Sequence, residues 1–464
     1  MKRTQIKQIL KNPQLGKTYK IMGWVRTRRS YPDFSFVELN DGSCLDNIQL
    51  LFDKELKGYA EIIDCSTGAS LSIEGICQSS KGKEQNLEIL VQEFSVFHPS
   101  SKKFPIQKKG IKLETLREMP HLRPRTNTFG AVFRVRSFLA QSIHRFFSEN
   151  GYLYIHTPII TSSDCEGAGE LFRVTNFDLL KIPSKEKKGV RRIQFKKDFF
   201  GQPTFLTVSG QLAVEGFCCS LGNVYTFGPT FRSENSNTAR HAAEFWMVEP
   251  EIAFADLQED MDVAEEMLKY LITDYLKNCA DDVDFFNQRI QKDLIQKISA
   301  VKDAEFARCS YEEALSILDK SERHFEFPVK FGVDLQTEHE RYLAEEFFQK
   351  PVFIYDYPKT IKPFYMYVND DDRTVRAVDL LVPHIGELIG GSQREHRLEQ
   401  LLKRCVECEM AIEDYEWYLD LRRYGSIPHS GFGLGFERLL LYLTGMHNIR
   451  DAIPYPRTPG VALC

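Results

Sequence analysis

Apolar and polar residues alternate along five short runs between residues 17 and 98, and Gly, Asp, Asn and Ser separate the runs. A period of two is typical of β-strands that bury one face. The runs read KTYKIMGWVRTRR, FSFVELND, NIQLLF, SLSIEGIC and LEILVQEFSVF. Five strands in so short a segment predict a small closed barrel over residues 1–98, and the five-stranded OB-fold is the expected form.

The pattern changes beyond the predicted barrel. Residues 99–126 are rich in Pro, Lys and Arg, which is typical of a hinge or linker. A second domain is predicted over residues 127–464, and it begins with a helix that Asn150-Gly151 ends. The apolar residues of this helix fall at helical spacing: Val132, Val135, Phe138, Leu139, Ile143, Phe146 and Phe147.

Later segments of the second domain mix strands and helices. Asp256 is expected to cap a helix that runs to about Cys279, and residues up to about 350 read as a charged helical insertion that starts near residue 257. A long helix is predicted over residues 395–424, followed by a Gly-rich strand–turn–helix at 430–445. Residues 181–200 form a basic excursion between strands and are expected to be a surface insertion.

Composition and charge narrow the class of protein. The chain has 464 residues, 27% charged and 42% hydrophobic, which is ordinary for a globular protein of two domains. The net charge of −5 argues against a protein that is basic overall, yet residues 1–30 carry nine Lys or Arg and no acid. Such a local patch fits a partner with a phosphate backbone, and a solvated terminus fits it equally well.

Cysteines and apolar runs bear on the compartment. Eleven Cys lack framework spacing, the N-terminus lacks the apolar core of a secretory signal, and no apolar run reaches membrane-spanning length. We therefore expect a cytoplasmic protein with reduced thiols and no membrane association. Cys405 and Cys408 form a lone CxxC, and without a second pair they do not predict a zinc site.

Two segments carry arginines suited to a nucleotide. Arg232 follows a strand-like run and precedes a polar loop and a second strand with Phe245, so a bidentate phosphate donor and an aromatic face come together. A structural salt bridge formed by Arg232, with no role in binding, would explain the arginine and the acid of this segment equally well. Arg438 follows the Gly-rich run 431–435 at the start of an apolar helix, where its guanidinium needs an anion or a π face. The Gly spacing does not predict a dinucleotide fold, because no βαβ unit follows.

Two acids point to a divalent cation. Asp379 and Glu387 stand on strand-like runs that bracket a Pro-His-Ile-Gly turn. Carboxylates combined with substrate phosphates are the usual ligands of Mg²⁺. A pair of solvated acids at strand edges is the alternative.

In this order the segments resemble the class II aminoacyl-tRNA synthetases. Phe231–Glu234 looks like motif 2 of that family, Gly433–Arg438 like motif 3, and the run from Gly151 to Ile160 like motif 1, the dimer element with its Pro158. The barrel is similar to that of the aspartate, asparagine and lysine subgroup. The resemblance implies an α+β fold, with an antiparallel catalytic sheet flanked by helices behind an OB-fold anticodon-binding domain.

Further segments resemble the bacterial asparagine branch of this subgroup, namely 163–170, 207–212, 231–238, 390–395 and 453–460. The resemblance implies a ligase that activates L-asparagine with ATP and transfers it to tRNA(Asn), as a homodimer. Arg232 and Arg438 are then catalytic, and Mg²⁺ would lie on Asp379 and Glu387. The implied ATP-binding residues are Arg232, Glu234, Arg240, His241, Phe245, Glu387 and Arg438.

The resemblance also implies an amino-acid pocket. Glu166 would take the α-ammonium beside Gln211, and Arg394 would donate to the side-chain oxygen. Val214 stands where the aspartate enzymes have Lys, which removes an attraction for carboxylate, and it is expected to face the pocket. Glu234 is a candidate acceptor for the amide NH₂, and adenine N6 is its equally weighted alternative.

In the barrel, the resemblance implies anticodon contacts by Arg28 (or Arg29), Phe36 and Gln49. A core position for Phe36 is the alternative. Three other functions were weighed: an aspartyl-tRNA synthetase, possibly one that charges both tRNAs; an asparagine synthetase on the same core, which would need no barrel; and an RNA-binding relative, which would be expected to have lost the arginines or the carboxylates.

Overall fold

The computed structural model describes residues 2–80, 86–106, 110–163, 171–187, 189–236 and 238–463. The chain divides into two units, Met1–Arg134 and Val135–Cys464. The first contains a closed five-stranded barrel and the second a large mixed sheet with helices, so the predicted fold class is confirmed. The finer limits given above for the barrel domain, the linker and the helical insertion stay predictions.

The barrel of the first unit is built from the five predicted runs. Its strands are β1 (Thr18–Ser30), β2 (Phe34–Asn40), β3 (Ile48–Asp53), β4 (Ser70–Ser79) and β5 (Leu87–His98). They close in the order β1-β2-β3-β5-β4, and only β3 and β5 pair in parallel. Two short helices, α1 (Ile6–Lys11) and α2 (Tyr59–Asp64), complete this part of the unit.

Alternation along β2 decides which face is the barrel interior. Ser35, Val37 and Leu39 are buried, whereas Phe34 and Phe36, which alternate with them, are half-exposed. Period two sends successive side chains to opposite faces. Phe36 therefore faces outward and is not part of the barrel core.

Two helices follow the barrel, α3 (Leu113–Arg117) and α4 (Asn127–Glu149). Helix α4 starts five residues before the apolar run that predicted it and ends at the predicted place. The segment before it is not only linker: Arg123 is fully buried, and its guanidinium carbon lies 4.4 Å from the centre of the Phe129 ring. This cation–π contact supplies a partner that a buried guanidinium requires.

The second unit contains the remaining strands. They are β6 (Leu153–Tyr154), β7 (Ile160–Thr161), β8 (Arg173–Val174), β9 (Ser184–Lys187), β10 (Val190–Ile193), β11 (Thr204–Leu206), β12 (Val224–Phe231), β13 (Glu244–Ala253), β14 (Ala307–Ser310), β15 (Val352–Pro358), β16 (Thr374–Val382), β17 (Gly386–Gln393) and β18 (His429–Gly435). The main sheet runs β14-β15-β16-β17-β18-β13-β12-β6, antiparallel except at its two ends. Its centre is formed by β17, β18 and β13.

Helices cover this sheet. They are α5 (Gln211–Leu221), α6 (Leu257–Asn278), α7 (Ala280–Arg289), α8 (Leu294–Asp303), α9 (Tyr311–Asp319), α10 (Thr337–Arg341), α11 (Leu398–Glu407), α12 (Glu416–Arg423) and α13 (Phe436–Thr444). Asp256 caps α6 as predicted, and Glu259 completes a capping box. None of the described helices combines the length and apolar character needed to cross a bilayer.

The long helix predicted over residues 395–424 is wrong. The chain forms α11 and α12 with a break between them, where Glu409 adopts φ 55° and the Met410 N–H donates to the Cys405 carbonyl at 2.9 Å. The break turns the chain so that Tyr418 and Leu419 are fully buried in the core of the unit. Helical periodicity on both sides concealed it, because neither Gly nor Pro marks the turn.

Candidate active site

One pocket of the second unit collects every residue of the predicted ATP-binding set: Arg232, Glu234, Arg240, His241, Phe245, Glu387 and Arg438. Met247 and Gly433 also line it, so its floor is formed by the central strands β13 and β18. These residues come from three segments of the chain, within 232–247, at 387 and within 433–438. Their convergence gives one cavity with four basic side chains and an aromatic ring.

Arg232 leaves the end of β12 at the point where this strand pairs with β13. Phe231 is opposite Glu244, and the Arg232 N–H donates to the Ala243 carbonyl at 3.0 Å. The Arg232 guanidinium carbon lies 5.4 Å from the centre of the Phe245 ring. The hairpin thus holds a bidentate phosphate donor beside an aromatic face, the combination that the sequence predicted.

Arg438 occupies the first turn of α13, directly after β18. Its Nη1 donates to the Glu387 carbonyl oxygen at 2.6 Å and lies 3.5 Å from the Glu387 carboxylate. About a third of the side chain is exposed, so the guanidinium is fixed on one side and open to the pocket on the other. An arginine held in this way keeps donors available for a phosphate.

The mouth of the pocket is polar. Glu234, Arg240 and His241 are exposed, and the Nδ1 of His241 lies 2.5 Å from the Thr238 hydroxyl. Glu234 therefore lies with the ATP-binding set. Its position at the rim favours a contact to the nucleotide over one to a buried amide.

Asp379 on β16 and Glu387 on β17 converge over Gly390. A Cβ built at Gly390 would lie 3.3 Å from an oxygen of each carboxylate. The pKa of Glu387 is raised by desolvation in the pocket and by the negative charge of Asp379. These two carboxylates offer the oxygen ligands that Mg²⁺ prefers.

Negative charge exceeds positive charge at this place. Burial and the neighbouring Glu387 raise the pKa of Glu340 to about 7. Lys362 donates to Asp379 at 2.8 Å and is the cation bound to that acid. Asp379, Glu387 and Glu340 repel one another, and Lys362 and Arg438 offset only part of their charge. A divalent cation would stabilise these carboxylates, so the residues present fit Mg²⁺.

Arg394 lies in the interior and does not line the pocket around Arg232 and Arg438. It is 2% exposed, its Nε and Nη2 donate to Glu251 at 3.1 and 2.5 Å, and its Nη1 donates to the Ser392 hydroxyl at 2.6 Å. Glu251 lies near the end of β13 and is fully buried. This pair holds an Arg and a Glu side by side, a donor and an acceptor next to each other.

Gln211 belongs to the same interior. Its side-chain amide donates to Glu215 one turn later at 3.1 Å, and Glu215 also accepts from Tyr418, Arg422 and His429 at 2.7 to 3.0 Å. Although burial favours the neutral acid, Arg422 and His429 hold the pKa of Glu215 well below its ordinary value. Glu215 is thus an ionised hub that fixes the orientation of Gln211.

Two further amino-acid contacts were predicted from the resemblance. Val214 is fully buried in an apolar cluster with Cys218 and with Val224 of β12. That Val214 faces the amino-acid pocket stays a prediction. Glu166 lies outside the described residues.

Sequence reasoning missed Glu215 and Glu251. Glu215 is the one charged residue of the helix QLAVEGFCCSL, and Glu251 stands among apolar residues near the end of the strand EFWMVEPEIA. A carboxylate at a core position must be paired or hydrogen-bonded, which is a signal that the sequence does contain. It does not name the partners, since Arg394 and Arg422 are more than 140 residues away.

In the first unit, the predicted anticodon residues share the outer face of the barrel only in part. Phe36 pairs with Arg29 on β1 and with Leu51 on β3, while Arg28 is opposite Val37. The Gln49 amide donates to Glu88 at 2.9 Å.

Three rings cluster on this outer face. The centres of Tyr31 and Phe34 are 4.9 Å apart, and those of Phe34 and Phe36 are 5.1 Å apart. Half-exposed aromatics beside basic residues form a stacking platform for bases.

Comparison with known proteins agrees with this geometry. A family model described as tRNA synthetases class II (D, K and N) matches residues 112–459, and one described as an OB-fold nucleic acid binding domain matches residues 19–97. The chain is 55% identical over 460 residues to an asparagine–tRNA ligase of Desulfitobacterium hafniense, covering 99% of both chains. It is 52% identical to that of Clostridium tetani over 100% of both.

A solved structure is similar over nearly the same extent. Asparaginyl-tRNA synthetase from Pyrococcus horikoshii, complexed with asparaginyl-adenylate, superposes with a TM-score of 0.86 at 32% identity, covering 99% of each chain. The family model spans most of the chain, and the residues that carry its motifs line one pocket. The chain belongs to the class II aminoacyl-tRNA synthetases of the aspartate, lysine and asparagine group.

Proposed function

We propose that this protein is an asparagine–tRNA ligase, which forms asparaginyl-adenylate from asparagine and ATP and transfers the asparaginyl group to tRNA(Asn). The observation that carries the proposal is the set of relatives named asparagine–tRNA ligase at 52–55% identity over the full chain. An aspartyl-tRNA synthetase is not favoured, since the aspartyl-named neighbours are only 22–24% identical.

ATP is the substrate that the family uses, and the pocket around Arg232, Phe245 and Arg438 is where we place it. The asparagine carboxylate attacks the α-phosphorus, pyrophosphate leaves, and the adenylate forms without a covalent enzyme intermediate. Arg232 would hold the α-phosphate and stabilise its developing charge, and Arg438 would hold the γ-phosphate. Adenine would lie between Phe245 and Arg438, and Arg240 and His241 would reach the outer phosphates.

Mg²⁺ would be held by Asp379 and Glu387. When bound, it would neutralise phosphate charge and orient the leaving pyrophosphate. The chain's own part is to keep the two acids converged over Gly390, where no side chain separates them. Glu340 and Lys362 then set the local charge against which the cation binds.

Asparagine would be read by Arg394 and Glu251 together. An arginine donor alone cannot separate asparagine from aspartate, since both offer an oxygen acceptor. Glu251, held against Arg394, supplies the acceptor for the amide NH₂ and repels a carboxylate. Gln211 and Glu166 remain the proposed contacts to the α-amino end.

The barrel would bind the anticodon through its outer aromatic face, with Phe36 stacking on a base, Gln49 reading one and Arg28 or Arg29 beside them. We also propose a homodimer, because the edge strand β6 exposes half of both Leu153 and Tyr154. Apolar side chains on an unpaired sheet edge are typical of a subunit interface. The cytoplasmic location expected from the cysteines stays a prediction.

The test is ATP–pyrophosphate exchange with asparagine, aspartate and lysine. We expect exchange with asparagine alone, and none in the Arg232→Ala variant. Phe36→Ala should keep exchange and weaken only tRNA charging, because its stacking face serves the tRNA. Exchange that prefers aspartate would refute the asparagine assignment, and loss of exchange in a folded Phe36→Ala variant would refute the division between the two units.

A further inference from the structure

The basic excursion at residues 181–200 forms a defined surface element. Strands β9 and β10 pair as an antiparallel hairpin, and every described residue of β10 is exposed. Residues 175–203 contain eight Lys or Arg against three acids, in a chain whose net charge is −5. The hairpin is thus a local positive surface on an acidic protein.

Two cations face each other within this hairpin. Lys185 is directly opposite Arg192 in the register, and both are exposed. Like charges at opposed positions destabilise a two-stranded sheet, and an anion between them removes that cost. Arg191, opposite Glu186, and the exposed Lys196 and Lys197 extend the positive surface beyond this pair.

The base of the hairpin is rigidly fixed. The Asp198 carboxylate accepts from the Thr175 hydroxyl at 2.6 Å and from the backbone N–H groups of Asn176 and Phe199 at 3.1 and 2.8 Å. These bonds tie the two ends of the insertion together. Below them, Thr204 pairs with Val174 in the small sheet β7-β11-β8.

This small sheet is attached to the candidate active site. Directly after β11, the Thr207 carbonyl accepts from the Phe231 N–H at 2.8 Å, one residue before Arg232. Four residues beyond Thr207 the chain reaches Gln211 at the start of α5. The insertion therefore rises from a segment that leads to Gln211 and that is hydrogen-bonded to the residue before Arg232.

We propose that Lys185 of β9, Arg191 and Arg192 of β10, and Lys196 and Lys197 bind the phosphate backbone of the tRNA acceptor arm during transfer. The inference rests on the proposed function, because the terminal ribose of tRNA must then reach an adenylate beside Arg232. The backbone that follows this end carries one negative charge per nucleotide, and cationic side chains bind it irrespective of sequence. The hairpin supplies cationic side chains, and the chain that follows it is hydrogen-bonded beside Arg232.

The test compares two triple variants that remove the same charge. Lys185→Ala/Arg191→Ala/Arg192→Ala removes it from the hairpin, and Lys277→Ala/Lys292→Ala/Lys320→Ala removes it from exposed lysines elsewhere in the same unit, one at the end of α6 and two in turns. We expect the hairpin variant to raise the KM for tRNA about tenfold in aminoacylation. The slope of the logarithm of tRNA affinity against the logarithm of salt concentration should become shallower by roughly two, since each lost phosphate contact lowers this slope by about 0.7–0.9. Asparagine-dependent pyrophosphate exchange should be unchanged, and the control should match the wild type in all three measurements.

A charge-retaining variant, Lys185→Arg/Arg191→Lys/Arg192→Lys, should restore the KM for tRNA and so separates charge from hairpin folding. An unchanged KM and unchanged direct tRNA binding in the alanine variant would overturn the inference. Two other results would also overturn it. In the first, the only property that the alanine variant loses is binding to anionic phosphatidylserine vesicles. In the second, the only property that it changes is the sedimentation coefficient. Failure of the proposed function would instead appear in the wild type as absent asparagine-dependent exchange, and direct tRNA binding would still decide the role of the hairpin.

Discussion

The Arg394 guanidinium and the Glu251 carboxylate meet across a strand that lies between them in the sheet. Arg394 follows β17, Glu251 belongs to β13, and β18 separates the two strands, with Gly431 opposite both Glu251 and Ser392. A Cβ at Gly431 would lie 2.5 Å from the Glu251 carboxylate and 2.3 Å from the Pro250 carbonyl. The missing side chain at Gly431 is therefore a condition for this pair.

Gly431→Ala should consequently disturb the Arg394–Glu251 pair. The rigid Pro250 backbone cannot yield, so Glu251 must move, and overpacking of this kind costs roughly 1–3 kcal/mol. We expect a lower Tm and a raised KM for asparagine in pyrophosphate exchange. Gly216→Ala, on α5, is the control, because a Cβ at Gly216 would lie at an ordinary 3.8 Å from the Leu421 side chain. Equal Tm and KM for the two variants would contradict the argument.

Glu251→Gln and Glu234→Gln separate the two candidate acceptors for the asparagine amide. If Glu251 accepts from the NH₂ group, Glu251→Gln should reduce kcat/KM for asparagine by roughly 10²-fold or more and narrow the preference over aspartate, since a buried recognition bond is lost. Glu234→Gln, at the rim of the ATP pocket, should mainly raise the KM for ATP. Pyrophosphate exchange with each substrate varied in turn measures both, and the reverse pattern would return the amide role to Glu234.

The sequence predicted local features well and long-range pairs poorly. The five barrel strands match their runs within two residues, because alternation is a property of neighbouring positions. The residues predicted to bind ATP line one pocket, and they stand in short motifs that the family shares. The partners of Glu251 and Glu215 were not found, because no periodicity links positions more than a hundred residues apart.

One error has a local physical cause. The break after α11 depends on one positive φ at Glu409, and neither Gly nor Pro announces it. The position of Val214 stays a prediction from its spacing to Gln211, because the hydrogen bond of Gln211 on α5 goes to Glu215, one full turn away. Spacing along a helix indicates a face only when the burial of that face is known.

Val214→Lys tests whether Val214 belongs to the apolar core or lines the amino-acid pocket. Val214 is fully buried with Cys218 and Val224, so an ammonium there would lose its hydration without gaining an anion. We expect a loss of stability of a few kcal/mol, measured by urea unfolding, along with poor expression. Val214→Ala, which only leaves a cavity, should cost less. A stable Val214→Lys protein with selectively reduced asparagine activation would show that residue 214 lines the pocket after all.

The proposed dimer predicts that Leu153→Arg yields a monomer. Leu153 is half exposed on the edge strand β6, and a charge there would be buried in the interface. Sedimentation at micromolar concentration should give a dimer for the wild type and for the control Val406→Arg, whose side chain is exposed on α11. A wild-type monomer would contradict the proposal.

Asp260 gives a prediction about pH. This residue of α6 is 1% exposed, and within the described part of the chain neither carboxylate oxygen has a hydrogen-bond partner. Burial raises the pKa of Asp260 well above its ordinary value, despite the opposing charge of Arg394. As pH rises above about 4, the unfolded chain therefore releases this proton before the folded protein does. The folded protein then holds a proton that the unfolded chain has lost. The contribution of Asp260 to stability therefore falls with rising pH until the pKa of Asp260 in the folded protein is reached.

Asp260→Asn removes that proton equilibrium while nearly preserving shape. The amide has its own burial cost, so the absolute Tm of the variant is not the test, and the trend with pH is. We expect the Tm of Asp260→Asn relative to wild type to increase from pH 5 to pH 8, measured by calorimetry at constant ionic strength. Asp319→Asn, at an exposed position of α9, should show no such trend. A difference between Asp260→Asn and wild type that stays constant over this range would mean that Asp260 is ionised in the folded protein, with Arg394 outweighing its burial.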